Sequence, residues 1–471
     1  MSLYLIMNAI GNNIFSGVFA DKRLDDRANS ISEILLNSNS SSVNGITNNE
    51  AELKGFYRFL ENERVEEQLL ISGVTSKCGI NVKGKDVLAI QDSSSIGFSR
   101  NAKNIKPNSG LGFIGNKIGT GFMLHTALVL DANNESMLGL SDIQMWHRKE
   151  DKSNNKTRIY KKQPIEEKES YKWIKGANQI KSELQLAKSI TIIEDREGDI
   201  YEQFCTIPDV KTNLIIRNRD NRRLTSGKKL HDVLNTSPSI GEYEFELKGD
   251  IRKKLNKRKI QLEVKVVCEY LKKPDQIKVE GIPDNIEVHI IEAKEKESRT
   301  DSICWRLITT TKVVTFEDAV NIINKYKSRW YIEQLFRLIK KQGFQIEQSQ
   351  LESGWSIRKL MVLVLHAACR QMQLYLAYEE KESQPILEVF DENEINCLKC
   401  IMESKITTTP NTMNQNDTIS LSWASWIIAR IGGWKGNAKQ TKAGPITIIK
   451  GLKKFESIYE GWKIGTLNVS K

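Results

Sequence analysis

The sequence predicts an α/β core that carries the chemistry, a β-rich insertion inside it, and a helical module at each end. Three observations predict this. Two short apolar runs, VLAIQ at 87–91 and ITIIE at 190–194, lead directly into aspartates, Asp92 and Asp195, and strand ends are where α/β sheets bind ligands. Residues 208–305 hold strand-like stretches such as EYEFELKG and IQLEVKVVCEYL, apolar at alternate positions or in short runs. Both ends instead show apolar residues at helical spacing.

In chain order, residues 1–75 read as helices. In ADKRLDDRANSISEILLN, Leu24, Ala28, Ile31, Ile34 and Leu35 recur at helical spacing, with Arg23 and Arg27 on another face. Asn48 or Asn49 can cap a second helix through EAELKGFYRFLEN, which carries Arg58,. Further strands are expected at FMLHTALVLD, SMLGLSDIQMW and WRLITTT, and a helix at YKWIKGANQIKSELQLAK. The insertion is densely basic: Arg217, Arg219, Arg222, Arg223, Lys228 and Lys229, then Arg252, Lys253, Lys254, Lys257, Arg258 and Lys259. A long apolar helix, IRKLMVLVLHAACRQMQLYLAYEEK, closes the core. The expected units are a basic helical module at 1–75, an α/β domain at 76–384 with its insertion at about 208–305, and a helical module at 385–471. That last segment breaks at Gly432 and Gly433, and its Trp423, Trp426, Trp434 and Trp462 suit a small core or a subunit contact.

The 471 residues carry a net charge of +11. So basic a chain points to a polyanionic partner, nucleic acid being the commonest. No stretch of 18 apolar residues occurs, so no membrane span is expected, and the apolar start lacks the basic flank of a signal peptide. Seven scattered cysteines fit reduced thiols in a cytoplasm,. Cys397 and Cys400 form a lone CxxC with no second pair for zinc. GLGFIGNKIGTG at 110–121 lacks the GxxxxGK[ST] of a P-loop, so no ATP is implied,. His125 and His147 read as structural or surface residues.

YKSRWYIEQLFRLIK, from Tyr326 to Lys340, is the most informative segment. Taken as one helix with Tyr326 at zero, it puts Arg329 at about 300°, Lys340 at about 320°, Glu333 at about 340° and Arg337 at about 20°. Tyr331, Leu335, Leu338 and Ile339 fill the opposite arc. A glutamate among phosphate-seeking groups suits a metal ligand beside a nucleic-acid backbone. An exposed helix with an i,i+4 Arg329–Glu333 pair gives the same pattern. Asp92, Asp195 and Glu333 together suit an oxygen-rich site for Mg²⁺ or Mn²⁺. Bare carboxylates about 4 Å apart repel by about 4 kcal/mol at an effective dielectric of about 20, so convergence calls for a cation. Two ions, about 3.5–4 Å apart, would cancel that charge and clamp a phosphoryl displacement.

The spacing Tyr326-x2-Arg329-x3-Glu333-x6-Lys340 resembles the Y-R-E-K signature of the insertion-sequence-four family of bacterial DDE transposases. QDSSS at 91–95 and DREGD at 195–199 resemble its two aspartate motifs, YRFL at 57–60 its N-terminal module and IARIGGW its C-terminal one. The resemblance implies an RNase H-like mixed-sheet catalytic core and cut-and-paste transposition by a homodimer that holds two transposon ends of double-stranded DNA in a bacterial cytoplasm. It implies Asp92, Asp195 and Glu333 as the metal-binding catalytic triad. Tyr326, Arg329 and Lys340 would hold terminal phosphates, with Arg337 nearby, and Trp305 would stack on a flipped base. Arg23, Arg27 and Arg58 would serve end binding, and Arg217 and Arg219 a DNA groove. The chain departs from the pattern at Gly198, where the motif usually has alanine, and at Leu24, where the family is often basic. Two other classes share these residues: a DNA-binding remnant or inhibitor of transposition without catalysis, and a plain RNase H-like nuclease. An intact triad argues against the first, and the two flanking modules against the second.

Overall fold

The computed structural model describes residues 13–469 apart from 39, 99–101, 116–118, 149–162, 248–257, 298–301, 378–383, 407–413, 415 and 437–442. The apolar N-terminal start, Arg252, Lys253, Lys254 and Lys257 lie outside the described residues, as do parts of the glycine-rich stretch and of TTTPNTMNQNDT.

The chain opens with helices α1 (Lys22–Ser38), α2 (Val43–Ile46), α3 (Glu50–Glu61) and α4 (Glu67–Asn81). Asn49 caps α3 by accepting from the Glu52 N–H,. Ala28, Ile31 and Leu35 of α1 are buried at helical spacing, while Arg23, Arg27 and Arg58 are exposed. Strands β1 (Asp86–Gly97), β2 (Gly112–Phe113), β3 (Thr120–Asp131) and β4 (Met137–Trp146) follow. After helix α5 (Tyr171–Glu183) come β5 (Ser189–Glu194), α6 (Tyr201–Thr206), β6 (Thr212–Arg217) and α7 (Leu230–Thr236). Strands β7 (Gly241–Leu247), β8 (Arg258–Lys272), β9 (Asn285–Glu295) and β10 (Cys304–Thr309) complete the β structure.

All ten strands join one mixed sheet in the order β2-β3-β1-β5-β6-β10-β9-β8-β7, with β4 also on β3. β4, β3 and β1 run antiparallel, whereas β1, β5 and β6 are parallel. The strands of the basic, β-rich stretch are therefore not a separate sheet: β10 pairs with β6 and extends the core sheet outward through β9, β8 and β7. Alternate residues of β1 feed opposite faces. Leu88 and Ile90 pack into one core, Val87 and Ala89 into the other, as a pleat of period two demands. Because both faces are covered, β5 and β6 bury apolar residues on both, Ile193 and Ile215 in one core and Ile190, Ile192, Leu214 and Ile216 in the other,.

Helices α8 (Phe316–Lys327), α9 (Trp330–Arg337), α10 (Gly354–Ala377), α11 (Glu392–Lys405), α12 (Leu421–Ile431) and α13 (Pro445–Val469) follow the sheet. Nearly all of α10 is buried. By length and composition α10 could cross a bilayer, but 94% of its most apolar window lies inside the fold. It packs among α1, α4, α12 and α13. Trp423 and Trp426 are buried in that shared core, and Trp434 and Trp462 are half-buried against it. The chain's own long helix thus covers two of the indoles, so they do not need a partner subunit to leave water. Gly433 ends α12 at φ +102°, a conformation glycine adopts without strain,.

Candidate functional site

Two sequence expectations about local structure change at the site. Asp92 is not at a strand end. β1 continues through Ser93, Ser94 and Ser95 to Gly97, because β3 pairs with it over that whole length. What ends near Asp92 is the parallel partner: Ile90 pairs with Ile193, and β5 stops at Glu194. Continuing that register by two residues sets Asp92 alongside Asp195. The site therefore sits where β1 is flanked by an antiparallel strand on one side and by the end of a parallel strand on the other.

The second change is that Tyr326–Lys340 is not one helix. α8 ends at Lys327, Arg329 caps α9, and the chain leaves α9 through a π turn at Leu338–Gln342. The Arg329 N–H bonds back to the Tyr326 carbonyl over three residues, so the single-helix angles do not apply across the break. The residues still face one another because α9 lies over β1. Ser328 donates to Glu135 at 2.5 Å and Tyr331 donates to the same carboxylate at 2.9 Å, fixing the start of α9 on the β3–β4 turn. At the other end the Lys340 ammonium donates to the Ser95 carbonyl at 2.7 Å and pairs with Glu347 at 3.5 Å.

Between those anchors, Arg329 donates one guanidinium nitrogen to Asp92 Oδ2 at 2.9 Å and another to Glu333 Oε1. Asp92 also accepts from the Ser93 N–H at 2.7 Å. Burial, opposed by Arg329 and reinforced by Asp195 and Glu333, pushes the Asp92 carboxyl up to about 6. Asp195 caps the turn Arg196–Gly198 by accepting from the Arg196 N–H at 2.6 Å. Asp92, Asp195 and Glu333 thus share one electrostatic neighbourhood around a single guanidinium. Their oxygens do not converge to ligand contact: among the described residues, the three metal-ligating side chains within 4.8 Å of one another lie elsewhere. Arg329 occupies the space between Asp92 and Glu333. An all-oxygen donor set that already surrounds a positive group fits a hard divalent cation.

The other sequence candidates fall at graded distances. Tyr326 is buried, its hydroxyl close enough to Arg329, Asp195 and Arg217 to feel their charge, and burial raises its pKa. Trp305, half-buried on β10, meets the Tyr326 ring edge-on at 6.1 Å. Arg217 ends β6 and is half-buried. Arg219 is exposed and pairs with Asp220 at 3.0 Å. Arg337 donates to Gln334 at 3.4 Å. Arg23, Arg27 and Arg58 belong to the separate N-terminal helices.

Sequence patterns missed the layer beneath the carboxylates. Gln91 donates to Glu194 at 2.7 Å and shares a hydrogen bond with His125 at 2.9 Å; His125 in turn meets the Ser93 hydroxyl at 2.9 Å. Gln203 holds the second Glu194 oxygen. Burial lowers His125 to about 3, so the ring is neutral. Gly198 was the available signal: a Cβ there would lie 1.9 Å from Glu194 Oε2. The last aspartate of DREGD, Asp199, is buried and holds the 218–222 loop through Arg222, Asn218 and the Arg219 N–H.

Two family models match the chain, described as transposase DNA-binding over residues 11–65 and transposase DDE domain over residues 165–370. Asp195 and Glu333 fall within the second span, and Asp92 lies outside it. Among solved structures, the chain is similar to a piggyBac transposase synaptic complex with hairpin DNA. That match has 8% identity over 83% of this chain and 79% of the other, with a TM-score of 0.34, and carries no argument about the fold.

Proposed function

We propose, for a chain that carries a transposase DNA-binding domain and a transposase DDE domain, that Asp92, Asp195 and Glu333 catalyse cut-and-paste movement of an insertion sequence by metal-dependent phosphoryl transfer. The observation that carries this reading is the gathering of three carboxylates from β1, the end of β5 and α9 around one guanidinium. The antiparallel β4–β3–β1 meander running into parallel β1–β5–β6 supports an RNase H-like reading of the core.

Asp92, Asp195 and Glu333 would hold a pair of Mg²⁺ or Mn²⁺ ions, which when bound would supply an activated water and charge neutralisation on the phosphoryl oxygens. The protein's own groups do the positioning. Arg329 moves from the carboxylates to a DNA phosphate, because a phosphate offers it two oxygens in the same fork geometry. Lys340, held over Ser94 and Ser95, presents a second cation on the same side of β1. Trp305, half-buried against the edge of the buried Tyr326 ring, offers a face on which an unstacked base can rest, while the Tyr326 hydroxyl lies near Arg329 beside the phosphate site,. Arg23, Arg27 and Arg58 on the N-terminal helices, with Arg217 and Arg219, contribute phosphate contacts farther along the duplex. Two copies of the chain would each hold one end of the element.

The test is cleavage of duplex DNA carrying the sequences that flank this gene, with Mg²⁺. Asp92→Ala, Asp195→Ala and Glu333→Ala are each expected to lower the cleavage rate by roughly 10³-fold or more while duplex affinity stays within a few-fold of wild type. Near wild-type cleavage by any of the three overturns the assignment.

A further inference from the structure

A second cluster of ligating side chains lies away from the carboxylate site, on β8 and β9. Cys268 and His289 face each other directly across the two strands. Glu287 is two residues before His289 on the same strand, so it projects from the same face of the pleat. The ligand atoms of Cys268, Glu287 and His289 all lie within 4.8 Å of one another. Cys268 and Glu287 are exposed, whereas His289 is 8% exposed. The His289 Nδ1 is buried without a hydrogen-bond partner, an unsatisfied group that normally has a compensating contact. Glu287 accepts from the Tyr270 hydroxyl, which uses one of its two carboxylate oxygens and orients the side chain.

We propose that Cys268, Glu287 and His289 form a metal site for a zinc-class cation, distinct from the carboxylate site on β1. The donor set decides the class. One sulfur, one imidazole nitrogen and one carboxylate oxygen suit a borderline-soft ion and not Mg²⁺, which prefers oxygen alone. Bond lengths of about 2.0–2.3 Å at tetrahedral angles put ligand atoms roughly 3.5 Å apart. From separations of at most 4.8 Å this needs no more than about an ångström of side-chain adjustment,, within reach of the two exposed groups. Water completes the fourth position on the open side. The ion clips β8 to β9 at a fixed register. The Glu287 hydrogen bond from Tyr270 then acts as the outer contact that holds a ligating carboxylate in place.

Cobalt(II) replaces zinc and reports on its ligands, because a thiolate-to-cobalt charge-transfer absorption arises only when sulfur is bound. Full-length protein titrated with cobalt(II) at neutral pH is expected to develop this absorption at one equivalent and to lose it on adding zinc. Cys268→Ser should abolish the absorption while leaving the far-ultraviolet spectrum and duplex DNA binding unchanged. Glu287→Gln should weaken cobalt binding by roughly tenfold or more. Absence of the absorption in wild type, or its persistence in Cys268→Ser, overturns the proposal. The six other cysteines are intact in that variant, so they serve as the internal control. Loss of DNA cleavage in Asp92→Ala does not bear on this readout, so the two sites stand or fall separately.

Discussion

Arg329 is the residue on which the site turns. It lies between Asp92 and Glu333, and its side chain is 14% exposed. A cation ligated by both carboxylates must displace it, so loading of the metal and release of the arginine are linked. On the proposed function DNA would offer the arginine an alternative anion, which would make the duplex a positive effector of metal binding. Arg329→Gln is therefore expected to raise the Mn²⁺ affinity of the DNA-free protein by roughly tenfold or more, about 1.4 kcal/mol, and to weaken binding of transposon-end duplex. Electron paramagnetic resonance of free Mn²⁺ measures the first and gel mobility the second. Unchanged or weaker Mn²⁺ binding would show that the arginine does not compete with the cation. Asp92, Asp195, Glu333, Arg329 and Lys340 were all legible in the sequence, because acidic and basic residues at fixed gaps are a chemical pattern. The Arg329 bridge was not. It depends on α9 lying over β1, and no local spacing encodes that contact.

At the scale of elements, the end of β5 and the turn after it act as one unit. Glu194 is buried between Gln91 and Gln203, and Asp195 is the next residue. Gly198 leaves the space that Glu194 fills. Gly198→Ala is expected to destabilise the protein by about 1–3 kcal/mol through overpacking, and to slow cleavage by displacing Asp195. Urea denaturation followed by circular dichroism reads the stability, and an unchanged midpoint would mean that Glu194 yields without cost. The element boundaries show where sequence reading fails. Ser93–Ser95 give no apolar signal, so β1 looks finished at Gln91; the strand persists because β3 supplies hydrogen-bond partners. The helix from Tyr326 looks continuous because its residues are good helix formers, yet the Arg329 N–H turns back to Tyr326 and resets the helical phase. The capping at Asn49 and the stop at Gly433 were legible because cap chemistry is local,.

Across the whole molecule, α10 ties both terminal helical groups to the face of the sheet opposite α5 and α6. Leu421, Ala424, Ile427 and Ile428 of α12 are fully buried in the same core as Leu360–Leu365 of α10. Deleting residues 385–471 is expected to uncover that core, giving a protein that aggregates or unfolds without a cooperative transition. Size-exclusion chromatography and thermal denaturation check this. A monodisperse truncation melting near the full-length protein would show that the C-terminal helices are dispensable for folding. The sequence carried the α/β class and the helical ends, since periodicity reports burial on one face. It did not carry the joining of β7–β10 to the core sheet. Strand partners more than 50 residues apart in sequence, such as β6 and β10, are chosen by the fold as a whole.

The central claim is that Asp92, Asp195 and Glu333 bind the divalent cation that drives DNA cleavage, and a metal switch at Asp195 tests it most directly. A cysteine at this position offers a soft thiolate in place of a hard carboxylate, which disfavours Mg²⁺ far more than Mn²⁺. Single-turnover cleavage of transposon-end duplex by Asp195→Cys is expected to be at background in Mg²⁺ and to recover in Mn²⁺, with wild type active in both. Cleavage by Asp195→Cys in Mg²⁺ at the wild-type rate would contradict the claim, because the residue could not then be a ligand of the catalytic metal.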